Sequence, residues 1–442
     1  MSSDAAGVVA GEVSSTDGLI PKLRFPEFSG TEAWGVRRLG SLVSFSSGGT
    51  PAKENPAYWG GDIPWVSASS MYNVLLSEAD HYVTPLAIGN GTSLAKKGAI
   101  LILVRGSMLF KRVPICLAEV DVAFNQDVKA LNVSPSLAPS FILNQLLAVQ
   151  CRIPIQVTGM GAGKIESDHL VGLDLPIPNI AEQQKIADCL SSIDAVIAAE
   201  RERLVALREH KKGLMQALFP TEGQTNPRFR FPEFRDAGEW VERPLSELLA
   251  CPPAYGANAG AVPYDTQLPT YLRITDISDE GRFVDAGKMS VDLVADDFNT
   301  MQGGDIALTR TGASVGKSYL HADANGPLVF AGFLIRVRPD QQRALPQIIF
   351  QYMQTQRYWS WVARVSGRSG QPGINSTEYG SLPIPLPPGA PGEALKEQQL
   401  IADCFSSLDL LAAAIANGID TLKAHKSGLM QQLFPSPAQP PA

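Results

Sequence analysis

Apolar positions recur at alternating steps of four and three in two stretches of the chain. The first runs through Ile186, Leu190, Ile193, Ile197, Leu204, Leu207, Leu214 and Leu218, with Glu200 and Lys211 completing the comb. The second runs through Ile401, Phe405, Leu408, Ala412, Ile415, Ile419, Leu422, Leu429 and Leu433, with Lys426 where the first has Lys211. A seam this narrow, sustained over about five heptads, predicts a coiled coil. Each helix spans roughly 55 Å at ~1.5 Å per residue. A charged residue inside such a seam costs stability but fixes register and partner.

The two stretches are copies. Glu182-Gln-Gln-Lys-Ile-Ala-Asp-Cys189 returns as Glu397-Gln-Gln-Leu-Ile-Ala-Asp-Cys404, and the Gly-Leu-Met-Gln segment before Pro220 returns before Pro435, always 215 positions on. A second repeat precedes each of them. Arg24-Phe-Pro-Glu-Phe28 recurs as Arg230-Phe-Pro-Glu-Phe234, and the same 206-residue offset carries Trp34 onto Trp240, Trp65 onto Tyr271 and Phe124 onto Phe330. The chain is therefore one unit written twice, a globular domain followed by a long helix.

Inside the globular units the pattern leans towards strand. Short β-rich runs stand at 98–104, 269–275, 304–309, 328–330 and 333–337, while 139–150 and 345–354 have helical spacing. Glycine- and proline-rich loops separate them, so the fold class is α+β; the order of strands is not legible. The expected domains are a disordered 1–20, a first globular domain over 21–178 and a helix over 179–220. A linker at 221–226, a second domain over 227–386, an insertion with the second helix over 387–435 and a disordered tail at 436–442 complete the chain. Six linker residues reach only about 20 Å at ~3.3 Å each. The second domain must begin near the end of the first helix, and its own helix must run back. An antiparallel coiled coil with a pseudo-two-fold axis is the expected frame.

Composition narrows the setting. No run of 18 apolar residues suggests a membrane span, and the polar N-terminus lacks the basic and apolar regions of a secretory signal, so a cytoplasmic location is expected. Five cysteines without Cys-x-x-Cys spacing give neither a disulfide framework nor a zinc site. The net charge of −7 is unusual for a nucleic-acid binder, since phosphate contact rests on Lys and Arg.

Several motifs taken together resemble the specificity subunits of type I restriction–modification systems. They are the Pro-rich segments before each Glu-Gln-Gln, the Gly-Leu-Met-Gln-x-Leu-Phe-Pro helix ends, and an opening with Gly48-Gly-Thr-Pro51 and Trp59-Gly-Gly-Asp-Ile-Pro-Trp65. The likeness covers about residues 21–435. It implies a subunit without catalysis of its own, whose two domains read a bipartite, asymmetric site on double-stranded DNA. It also implies two methyltransferase subunits docked on the helices, and restriction subunits. S-adenosylmethionine would sit on the methyltransferase subunits, and ATP and magnesium on the restriction subunits.

Enzymatic motifs are incomplete. Gly312-Ala-Ser-Val-Gly-Lys317 has three residues between its glycines where a phosphate loop needs four, and Gly159-Met-Gly-Ala-Gly-Lys164 is equally short. Asn55-Pro-Ala-Tyr58 lacks the second proline of an adenine methyltransferase motif and reads as a turn. Asp127-Val-Lys129 has nuclease-like spacing inside a segment expected to be a strand or strand edge.

Basic residues beside glycine turns are the candidate DNA contacts: Arg105, Lys111, Arg112 and Lys164 in the first domain, Arg310, Lys317, Arg364 and Arg368 in the second. Asn125, Gln126, Gln371 and Asn375 are candidate adenine readers. The repeated helix residues are the candidate docking sites: Glu182, Gln183, Gln184, Lys211, Leu214 and Met215, with Glu397, Gln398, Gln399, Lys426, Leu429 and Met430. Two other classes compete. A stand-alone methyltransferase or nuclease suffers from the incomplete motifs, whereas a protein scaffold fits the acidic charge; within the family itself, an orphan subunit without an active partner is the further alternative.

Overall fold

Two long helices, Ile180–Leu218 and Pro391–Leu433, occupy the predicted seams in the computed structural model, which describes residues 19–159, 161–367 and 370–435. Of the disordered ends expected at 1–20 and 436–442, residues 1–18 and 436–442 lie outside the described residues; Leu19, expected to be disordered, pairs with Trp34. Every apolar seam position is buried or half-buried. The second helix starts inside the segment expected as an insertion.

By contacts the chain forms two units, one made of residues up to 200 together with 418 onward, the other of 201–417. Each unit thus holds a globular domain, the beginning of one long helix and the end of the other. In the first unit Ile186 and Leu190 share a hydrophobic cluster with Leu429, Leu433 and Phe434, and Lys426 reaches Asp194. Early residues of one helix meet late residues of the other, so the segments run antiparallel. In the second unit Met215, Leu218 and Phe219 share a cluster with Ile401 and Phe405, and Lys211 reaches Asp409. Full burial of a Leu or Ile side chain contributes about 1.5–3 kcal/mol, so these seams bind each segment firmly to its own unit.

The second helix carries a stretch long and apolar enough, by length and composition, to cross a membrane, although polar residues break its apolar run. Its Ile401, Phe405, Ile415 and Ile419 face protein, as a coiled-coil stripe does.

The domains repeat one sheet order. In the first unit Val43–Ser47, Val128–Val133, Ile100–Leu103 and Ile115–Ala118 lie side by side, with Leu75–Leu76 added at the edge. In the second unit Leu249–Tyr255, Leu334–Pro339, Ile306–Thr309 and Ser318–Leu320 take the same places. A second sheet in each unit contains a parallel pair. Trp59–Val66 pairs with Val122–Phe124, and Thr270–Leu272 with Leu328–Phe330. Helices Pro139–Val149 and Pro346–Tyr352 stand where their spacing predicts, each opened by proline at the first turn.

Phe124 to Lys129 does not form one strand. Val122–Phe124 ends in one sheet, residues 125–127 turn, and Val128 begins a strand of the other sheet. The helix Gln356–Ser366, capped by the Thr355 hydroxyl, was not foreseen.

Candidate nucleic-acid interface

The turn that joins the two sheets stands at the same strand ends in both units, and equivalent backbone bonds build it. Gly49 N donates to Phe124 O at 2.8 Å and Ala257 N to Phe330 O at 2.8 Å; Val104 N donates to Asp127 O at 2.8 Å and Arg310 N to Phe333 O at 3.1 Å. Trp65 Nε1 donates to Gly49 O at 3.1 Å, and Tyr271 Oη to Ala257 O at 2.9 Å. Side chains at Gly48 or Gly256 would collide with the carbonyl oxygens of Phe124 or of Phe330 and Ala331, which explains a glycine at both. A further segment joins this edge in each unit, by Ile165 N bonded to Val104 O after the strand Gly163–Lys164, and by Ile374 N bonded to Arg310 O after an isolated bridge of Gly373 to Thr311.

The candidate DNA contacts gather only in part around this edge. Arg105 and Lys164 are cross-strand partners beside it, and Arg105 and Lys111 are exposed. Lys164 is engaged by Glu166 at 2.7 Å. Arg112 donates to Met71 O at 2.8 Å, so part of its fork serves the fold. In the second unit the Arg310 guanidinium lies 4.9 Å from the Tyr255 ring centre. Lys317 contacts Asp279 at 2.5 Å, and that ammonium holds the Asp279 carboxyl below its usual range. Arg364 stands 3.5 Å from Glu222 on the surface. Arg368 lies outside the described residues. The segment Gly312 to Lys317 leads into the strand Ser318–Leu320, not into a helix whose N-terminus could hold phosphate.

Two of the four candidate adenine readers are occupied by the fold. Asn125 is buried, its Oδ1 accepting from Asp127 N, and Asn375 caps the helix Ser376–Gly380 by accepting from Glu378 N. Gln126 and Gln371 are exposed, and Gln126 Oε1 accepts from Thr50 Oγ1 at 2.9 Å. That bond leaves the Gln126 amide NH2 free to donate outwards. Asn55 caps its own turn, as a turn reading requires.

The candidate docking residues are mostly internal. Arg24 makes two bonds of 2.7 Å to Glu182, which also accepts from Trp34 Nε1 at 3.2 Å; Arg230 grips Glu397 at 2.7 and 2.8 Å. Gln183 accepts from Ala138 N at 3.1 Å, and Gln398 accepts from Leu345 N at 2.9 Å. Glu182, Gln183, Glu397 and Gln398 are all buried, so they clasp each helix to its domain and are not displayed to a partner. The repeats Arg-Phe-Pro-Glu-Phe and Glu-Gln-Gln are thus two halves of one clasp, a link that their separate offsets in sequence concealed. Met215 is buried, and Leu214, Leu429 and Met430 pack against the cores. Lys211 and Lys426 are spent on Asp409 and Asp194. Gln184 and Gln399 remain exposed, each bonded at 2.8 Å to an aspartate four residues on.

Comparison with known proteins adds the context for this geometry. The sequence profile of the type I restriction modification DNA specificity domain matches residues 31–209 and 271–423. The EcoR124I/EcoR124II type I restriction enzyme specificity subunit of Escherichia coli is 31% identical over 172 residues, 38% of this chain and 43% of that protein. The MjaVIII specificity subunit of Methanocaldococcus jannaschii is 21% identical over 422 residues, 91% of this chain and 92% of its own length. The crystal structure of a type I restriction–modification S subunit from M. genitalium superposes with a TM-score of 0.57 at 17% identity, covering 95% of this chain and all of that one. That likeness carries the fold.

Proposed function

Because the chain belongs to the type I restriction modification DNA specificity family, we propose that it is a specificity subunit, without catalysis of its own, that reads a bipartite and asymmetric DNA site. The observation that carries this reading is the doubled strand-end edge. Equivalent bonds hold its backbone in both units, while the side chains it displays differ. One scaffold with two sets of side chains suits two half-sites of unlike sequence.

The long helices set the gap between the half-sites as one antiparallel coiled coil with pseudo-two-fold symmetry. The reciprocal pairs Asp194–Lys426 and Lys211–Asp409 support that arrangement, since a seam charge and its partner fix register. Two methyltransferase subunits bring S-adenosylmethionine and dock on surfaces that include exposed Gln184 and Gln399; restriction subunits bring ATP and magnesium. The complex works in the cytoplasm.

Binding of duplex DNA by the chain assembled with its methyltransferase partner, titrated with salt, tests the reading. Affinity should fall steeply as salt rises, by about 0.9 log units per log unit of salt for each phosphate contact. The acidic net charge, and the carboxylates on Lys164 and Lys317, favour a protein scaffold as the second reading. Stable assembly without salt-sensitive DNA binding would select it.

A further inference from the structure

Three adjacent strands of the second unit end together. Tyr255 closes Leu249–Tyr255, Phe333 stands immediately before Leu334–Pro339, and Arg310 immediately follows Ile306–Thr309. Their order in the sheet puts Phe333 between the other two. Phe333 is 62% exposed, yet its backbone is not loose. Ala331 N donates to Leu272 O, Gly332 N to Ala257 O at 2.7 Å, Leu334 N to Ala331 O and Arg310 N to Phe333 O. A neighbour is held just as firmly, for Tyr255 Oη accepts from Ser376 N while its ring carries the Arg310 guanidinium.

The first unit has the same strand ends and other chemistry. By the equivalent pairings its residues are Ser47, Asp127 and Val104, and the residue in the place of Gly332 is Gln126. An exposed aromatic alone is ordinary. Here it is fixed on a hydrogen-bonded turn, flanked by a cation–π pair, at the very edge where the other copy displays a free amide donor.

Resting on the DNA-specificity reading above, we propose that Phe333 is a specificity-determining residue of the second unit, which applies its apolar ring to a base. The first unit reads through the Gln126 amide on the same turn, one residue before the place of Phe333, so the half-sites are read by different physics, apolar contact in one and hydrogen bonding in the other. Two targets offer the apolar surface that a phenyl ring takes: a thymine methyl in the major groove, or the face of a base at an opened step.

The test uses the full chain assembled with its methyltransferase partner, on duplexes carrying the site that the complex methylates. Phe333→Ala should weaken binding about ten-fold or more, the range of a lost base–aromatic contact, with an unchanged salt slope because no charge is removed. Phe333→Trp should retain binding. Against the parent complex, uracil in place of thymine should reproduce the loss if the methyl is the target. A 2-aminopurine beside the contacted step should instead brighten on binding if the ring opens it, and stay dark with Phe333→Ala. Equal binding and an unchanged methylated motif in Phe333→Ala, with the parent complex binding normally, would overturn the proposal alone. Absence of salt-sensitive binding by the parent complex would overturn the function on which it rests.

Discussion

Lys426 Nζ lies 2.8 and 2.7 Å from the two carboxylate oxygens of Asp194, closing the end of one long helix onto the beginning of the other. Lys211 and Asp409 repeat the contact in the second unit at 2.8 Å to both oxygens. The lysine that interrupts each apolar seam is therefore the partner of an aspartate, and the sequence repeat preserves both members.

Replacing Lys426 with Met leaves Asp194 half-buried without its cation and should destabilise the chain by about 1–3 kcal/mol. Replacing both, Lys426→Met with Asp194→Leu, should restore much of that loss, because two apolar groups leave no polar atom unpaired. Urea denaturation of the two variants measures the difference. Equal stability of the single variant and the parent would remove the pair from the structural argument.

The clasp yields a larger effect. Glu182→Gln takes the counter-ion from the Arg24 guanidinium, whose side chain is 8% exposed and which keeps only the neutral oxygens of Thr31 and Glu32, and removing one partner of a buried pair costs up to about 3–5 kcal/mol. Glu397→Gln should do the same to Arg230. Each variant should lower the melting temperature of the full chain and expose its helix start to protease. A loss of partner assembly with no loss of stability would return these residues to the docking surface.

Lys317 and Arg105 make opposite charge predictions. Asp279→Asn frees Lys317 from its counter-ion and should strengthen DNA binding at low salt. If the freed lysine meets a phosphate, the salt slope steepens by about 0.9. Arg105→Ala should weaken binding and, for one lost phosphate contact, flatten the slope by a similar amount. Salt titrations of the assembled complex read both.

His321 supplies a pH dependence. It is buried, with Nδ1 3.1 Å from Tyr319 Oη, and burial pushes its imidazole below the ordinary range against the opposing pull of Asp305 and Asp323. Above about pH 6.5 the ring is neutral in both the folded and unfolded chain, so it contributes no pH dependence. As pH falls below about 6.5 the unfolded chain takes up a proton that the folded chain resists. Stability should then fall by up to about 1.4 kcal/mol per pH unit until the native ring also titrates. His321→Gln should remove that component from denaturation midpoints compared at pH 7.5 and 5.5; an unaltered slope would assign it to other groups.

Periodicity exposed the helices because a heptad seam is a local pattern, and every apolar position in it is buried or half-buried. Duplication exposed the two-unit plan. Sheet order was hidden, since strands such as Val43–Ser47 and Val128–Val133 pair across more than eighty residues of chain with no local mark of the pairing. Glu182 and Gln183 were misread for a related reason: a residue type repeated on a helix looks the same whether it faces a partner or its own domain. Their targets, Arg24 and the amide of Ala138, become visible only in three dimensions. Phe333 carried no motif either. The one sequence trace was the departure of Ala331-Gly-Phe333 from Asn125-Gln-Asp127 at the shared offset.

The DNA-specificity reading meets its most direct test in single-molecule sequencing of DNA methylated by this chain together with a type I methyltransferase subunit. The expected result is adenine methylation at a split, asymmetric motif with a constant gap, one half of which changes when residues 21–178 are exchanged for those of a relative. A stable assembly that methylates no defined motif, or an exchange that alters both halves at once, would contradict it.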